Sequence, residues 1–266
     1  MKLWALRCGD LHTDVAGLLE GQPRGVMGDV PVMCFAVDTG DGVLVFDTGM
    51  HESCCGPDAA AHFGSMWTTF ELRCPRHALV DERLRQAGCS VDEVRWVVNS
   101  HLHFDHAGRN AAFPAATQYV RARELVWARE RAKVPSGVLA GDLAELNAPD
   151  WDYDVEFDLA PGLRLISTPG HTPGHQALHV TFGDGLGYVC VGDAAYTLQA
   201  VLDHRPTGRT TSVDQATESL RKLTALDAQI LTAHDIDQWR GVVDVAMIHA
   251  TDRPSTNPFS SGVVTR

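Results

Sequence analysis

Basic side chains are scarce in this sequence: 22 Lys and Arg stand against 34 Asp and Glu, a formal net charge of −12. Binding to a phosphate backbone needs clustered cations, so nucleic acid is not expected as a partner. Long apolar runs are also missing. No stretch approaches the ~18 apolar residues that cross a bilayer as a helix, and Met1 to Leu6 has no apolar core of signal-peptide length. Membrane insertion and export are therefore not expected, and the expected compartment is cytoplasmic. Nor is there a CxxC pair. The seven cysteines, Cys8, Cys34, Cys54, Cys55, Cys74, Cys89 and Cys190, are odd in number and include one adjacent pair. They read as reduced thiols, with Cys54 and Cys55 as loop residues; the alternative for that pair is a reactive or metal-binding site, for which the sequence shows no further ligands nearby.

What is present suffices for a large core: 266 residues, 44% of them hydrophobic. We read residues 1–266 as one domain, with the Pro-, Ser- and Thr-rich stretch 251–266 as a surface tail. Val30 to Asp38 and Val43 to Asp47 read as a hairpin around Thr39-Gly40-Asp41-Gly42. Ala78 to Ala87 has helical spacing, with Gly88 as its stop. Ser90 and Glu93 form a capping box ahead of a buried strand at Trp96-Val97-Val98. Arg121 to Ala132 reads as a helix. A second half repeats the pattern: strands at Leu163 to Ser167, Ala177 to Phe182 and Gly187 to Val191, a helix at Val213 to Leu226, then a strand at Ile230 to Thr232. This order predicts two similar halves facing each other, sheets inside and helices outside.

The chemistry is placed where strands end. In His101-Leu102-His103-Phe104-Asp105-His106, residues two apart on an extended backbone point the same way, and Asp105 and His106 follow as the chain turns. Three imidazoles and a carboxylate are donors that Zn, Fe, Mn or Co accept. With 13 His in the chain, such a cluster arises by chance on the order of once in several hundred sequences of this length. In Gly170 to His175, either His171 or His175 could be a further ligand by chemistry alone. His179 reads as a packing or surface residue. His12, His51, His62, His77, His204 and His249 have no ligand-like neighbours in sequence.

These motifs resemble the metallo-β-lactamase superfamily, and the resemblance covers most of the chain. Asp47-Thr48-Gly49, the His101–His106 loop, Pro169-Gly170-His171-Thr172-Pro173-Gly174-His175, Gly192-Asp193 and Ala233-His234 occur in that family's order. The resemblance implies an α/β fold, the four-layer αββα sandwich, and two divalent metal ions, zinc first among them. One ion would take His101, His103 and His171, the other Asp105, His106 and His234, with Asp193 and a hydroxide bridging. It selects His171 over His175.

Tyr196, three residues after Asp193, resembles the catalytic tyrosine of the N-acyl homoserine lactonase, or quorum-quenching, branch. The implied activity is opening of a lactone ring by the bridging hydroxide. Tyr196 would steady the oxyanion and Asp105 would carry a proton to the leaving alkoxide. The implied partner is a small lactone, with a homodimer left open. Other readings are hydrolysis of a different lactone, such as a pyridoxine-derived one, of a thioester or of a phosphodiester, and a metal-binding protein without turnover. Asp193 stands where many β-lactam-cleaving relatives carry Cys. Trp4, Met27, Met66, Trp67 and Phe70 are candidates for an acyl-chain wall, Phe104 for a pocket-lining residue, and the loops Cys54 to Thr69 and Pro135 to Asp152 for the pocket's rim.

Overall fold

The computed structural model describes residues 1–18, 23–147 and 155–251. Its first half carries strands β1 (Lys2–Asp14), β2 (Met27–Asp38), β3 (Val43–Phe46), β4 (Glu71–Arg73), β5 (Val94–Val98) and β6 (Thr117–Tyr119). Helices α1 (Ala59–Phe63), α2 (Ser65–Thr69), α3 (Val80–Gln86), α4 (Phe104–Ala107), α5 (Ala122–Arg131) and α6 (Ala140–Ala144) lie between and after them. The second half adds β7 (Phe157–Ala160), β8 (Leu163–Ser167), β9 (Gln176–Thr181), β10 (Gly187–Cys190), α7 (Leu198–Leu202), α8 (Val213–Thr224), β11 (Gln229–Leu231) and β12 (Val245–Ala250).

Among the described residues one sheet runs β12-β1-β2-β3-β5-β6, with β4 paired to β1, and the other β11-β10-β9-β8-β7. Strand β2 shows why its sequence lacks simple alternation. Val32, Cys34 and Ala36 pack outward against the layer of α1 to α3, while Met33, Phe35 and Val37 point at the opposite sheet. A strand covered on both faces reads as a continuous apolar run. The layer between the sheets joins Phe35, Leu44, Phe46 and Val98 to Leu165, Leu178 and Val180. Leu220 and Leu223 of α8 cover the far face of the second sheet through Ile166, Ala177 and Val189. The result is the expected αββα sandwich.

Several boundaries differ from the sequence reading by a few residues. The helix expected from Ala78 begins at Val80 after a short 3-10 turn, Arg76–Ala78. The Ser90–Glu93 capping box is formed, on a 3-10 turn rather than an α-helix. Strands β1 and β12, which pair antiparallel, were not anticipated. Of the tail read at 251–266, Thr251 is tied to Met1 by a backbone hydrogen bond of 2.9 Å, and 252–266 lie outside the described residues. No helix among the described residues is long and apolar enough to cross a membrane.

Candidate metal centre

Parallel pairing fixes where the chemistry converges. β3 pairs parallel with β5, and β10 with β11, so the segments that follow them, 47–49, 99–106, 191–193 and 232–234, leave from common edges. β8 is antiparallel to β9 and β9 to β10, which brings the 168–175 loop to the same edge as 191–193.

All seven residues expected as ligands meet there. His101 Nε2 and His171 Nε2 lie 2.9 and 3.0 Å from His103 Nδ1, and 3.7 and 3.4 Å from Asp193 Oδ2. On the other side His106 Nε2 and His234 Nε2 lie 3.2 Å apart and 3.2 and 3.1 Å from Asp193 Oδ1. Asp105 Oδ2 closes this second group at 3.9 and 3.7 Å from the same two nitrogens. One carboxylate thus presents one oxygen to each of two three-residue groups, and each group has the donors and spacing to hold a cation.

The outer hydrogen bonds settle which ring nitrogens are free, because a carbonyl or carboxylate oxygen only accepts. His234 Nδ1 donates to Pro31 O at 2.8 Å, and His106 Nδ1 donates to Asp47 Oδ2 at 2.9 Å. Ser100 Oγ donates to Asp47 Oδ2, leaving His101 Nδ1 to donate to Ser100 Oγ at 2.9 Å. The Nε2 lone pairs of all three imidazoles therefore face inward, the arrangement a metal ion requires. Asp193 Oδ1 is buried without a hydrogen bond. Converging lone pairs beside an unpartnered carboxylate oxygen are stable only around positive charge, so the residues fit a bound cation.

His175, the other chemical candidate in its loop, spends its Nε2 lone pair on the backbone N–H of Asp193 at 3.1 Å, while its Nδ1 meets Thr168 Oγ1 at 2.8 Å. It orients the shared aspartate instead of joining the donors. The approach needs Gly192: its φ is +51°, and a Cβ there would lie 2.7 Å from Ser100 Cβ and 3.0 Å from His175 Nε2. Glu124 on α5 ties the two halves of the centre together. Its carboxylate accepts from Leu102 N at 3.1 Å and Gly174 N at 3.0 Å, one N–H from each histidine loop.

Burial lowers His101, and pushes His103 and His175 down to about 4 and about 3, so these imidazoles stay neutral. Burial also lowers His171. It works the same way on His106 and His234, but Asp193 and Asp105 overturn it and raise both. Burial alone would raise Asp193; His106 and His234 hold it well below the usual carboxylate range.

Above the centre opens a cleft of about 560 Å³, within the usual size of small-molecule sites. Asp105, Asp193, His171 and His234 lie at its base, and Tyr196 lies beside them. The Tyr196 ring meets His171 and His234 edge-on, with centroids 6.1 and 5.4 Å apart. Its phenol is raised well above its ordinary value by burial, so it remains a proton-bearing donor. Of the expected apolar wall, Met66 and Phe70 line the cleft, and so does Phe104, the separate pocket-lining candidate. Trp4 is buried in the outer core instead, and Met27 and Trp67 flank a separate shallow depression. Leu11, Leu18 and Trp127 line the cleft without having been singled out, and so does Arg209, whose guanidinium lies 5.8 Å from the Phe70 ring centroid. An isolated Leu, Trp or Arg carries no local pattern that marks it as lining a site.

A cleft over paired histidine and aspartate clusters in an αββα sandwich defines a metal-dependent hydrolase. The Metallo-beta-lactamase superfamily profile matches residues 27–233, and the chain belongs to that superfamily. An N-acyl homoserine lactonase from Bacillus sp is 27% identical over 90% of this chain and 95% of its own length. The N-acyl homoserine lactonase AttM of Rhizobium radiobacter is 29% identical over 90% and 95%. Among solved structures, an N-acyl homoserine lactone hydrolase with the product N-hexanoyl-L-homoserine bound at its catalytic metal center superposes with a TM-score of 0.75. It is 26% identical, and the match covers 89% of this chain and 94% of that one.

Proposed function

We propose that this protein is a dinuclear metal-dependent lactonase acting on N-acyl homoserine lactones. The observation that carries the reading is the division of Asp193 between two histidine groups at the base of a cleft that Tyr196 flanks; the relatives' names support the substrate class. Of two zinc ions, one would be held by His101, His103 and His171, the other by Asp105, His106 and His234, with Asp193 shared. Bound there, the ions would supply Lewis acidity and lower the pKa of a water towards neutrality.

The chain's own groups do the rest. Tyr196, kept protonated, donates a hydrogen bond to the lactone carbonyl oxygen as negative charge develops on it. Asp105 at the cleft base accepts the proton given up by the attacking water, whose oxygen bonds to the carbonyl carbon, and passes it to the ring oxygen as the ring C–O bond breaks. Leu11, Leu18, Met66, Phe70 and Trp127, which line the cleft, shelter the acyl chain. The test is a pH-indicator screen of zinc-loaded protein against acyl homoserine lactones of several chain lengths, other lactones, thioesters and phosphodiesters. Acyl homoserine lactones should be turned over fastest and a chelator should abolish turnover; preference for a thioester or phosphodiester would overturn the substrate assignment.

A further inference from the structure

Three of the seven cysteines are not dispersed. Cys54 and Cys55 end the 3-10 turn Glu52–Cys55, which His51 caps through its side chain. Cys74 directly follows β4, nineteen residues further along. The fold brings the three together: Cys54 Sγ and Cys55 Sγ are 3.7 Å apart, and all three sulfurs lie within 4.8 Å of one another. Both turn thiols reach the Cys74 carbonyl, at 3.5 Å from Cys54 Sγ and 3.0 Å from Cys55 Sγ.

Three thiolates around one ion at a metal–sulfur distance of about 2.3 Å sit about 3.8–4.0 Å from each other, so the sulfurs are already spaced close to a coordination triangle. Among the described residues no imidazole or carboxylate joins the group. Cys74 is buried, whereas Cys54 and Cys55 are half-buried, which leaves an entry path from one side. Cys8, Cys34 and Cys190 are buried and serve as small apolar side chains.

We propose that Cys54, Cys55 and Cys74 form a separate three-sulfur site for a soft d10 cation of the Cu(I) or Cd(II) kind. All-sulfur donors select soft cations, whereas the His and Asp centre offers only nitrogen and oxygen. Each thiol that binds releases its proton to solvent, and no redox change accompanies loading.

Cadmium separates the two sites spectroscopically, because only sulfur ligands give a thiolate-to-cadmium charge-transfer band in the ultraviolet. Zinc-loaded protein, kept reduced with a phosphine, should develop that band on cadmium titration and saturate at one equivalent per chain. The band should be lost in Cys54→Ser and in Cys55→Ser, both with unchanged thermal melts, and kept in Cys89→Ser. Cadmium NMR of the unmutated protein should show a resonance in the sulfur-ligated region, a readout that needs no variant to fold. No band, a band that survives the Cys54→Ser/Cys55→Ser double variant, or no sulfur-region resonance would overturn the site.

Discussion

The Nε2 atom of His175 accepts a hydrogen bond from the backbone N–H of Asp193 at 3.1 Å, and both residues are buried. His175→Ala removes that acceptor and the anchor that aims the aspartate, so metal affinity should fall ~10–100-fold, the usual effect of losing an outer partner. His175→Asn, which keeps an acceptor oxygen, should recover part of the loss. Metal content after dialysis against a graded chelator measures both; full occupancy in His175→Ala would remove the orienting role.

Glu124 makes a comparable link between the two histidine loops. In Glu124→Ala, Leu102 N and Gly174 N each lose an acceptor, at about 1–3 kcal/mol per buried group. The thermal midpoint should drop clearly, and less in Glu124→Gln, which retains one oxygen. Equal midpoints for the two variants would exclude the acceptor role, because Gln keeps an acceptor oxygen that Ala lacks.

Tyr196→Phe keeps the ring and removes the donor. If the phenol acts on developing charge, kcat should fall ~100-fold with KM little changed. A change confined to KM would assign Tyr196 to substrate binding alone.

Arg209 faces the same cleft over Phe70 and can donate to a carbonyl of the bound substrate. A hydrogen bond from a charged group contributes about 1.5–3 kcal/mol, so Arg209→Met should raise KM ~10–100-fold while kcat holds. An unaltered KM would place the guanidinium outside the bound complex.

Stability should depend on pH through a contact between two short helices. His62 Nε2 lies 2.7 Å from Asp142 Oδ1, joining α1 to α6. That hydrogen bond raises His62, and burial raises Asp142 against the pull of His62. Folding therefore favours the protonated form of each. The His62 contribution is full below the unfolded histidine value of about 6.5 and is lost as pH climbs through its higher folded value; the Asp142 contribution declines earlier, from the carboxylate range upward. Urea midpoints measured at about pH 6 and about pH 9 should fall more for the native chain than for His62→Gln. Parallel declines would exclude the pair as the cause.

The centre was legible because His101 to His106 packs four donors into six residues and Asp193 and His234 each follow an apolar strand. Choosing His171 over His175 needed the resemblance; the physical reason, that the His175 lone pair serves Asp193 N, depends on two loops meeting. His51 and His62 looked isolated because Glu145 and Asp142, their partners, lie 94 and 80 residues away. β1 escaped notice because its register shifts between Arg7 and Asp10, which breaks the alternation a long strand otherwise shows. Trp4 looked like a pocket residue only because aromatic character does not reveal which face of a strand it occupies; in β1 it points to the outer core.

The geometry of Asp193 also bears on how the centre fills. Since a single side chain offers Oδ2 to one group and Oδ1 to the other, a cation captured by either group locks the rotamer that its neighbour requires. On the proposed ligand assignment the first ion lowers the entropic cost of seating the second, and singly loaded molecules should be rare intermediates at sub-stoichiometric zinc.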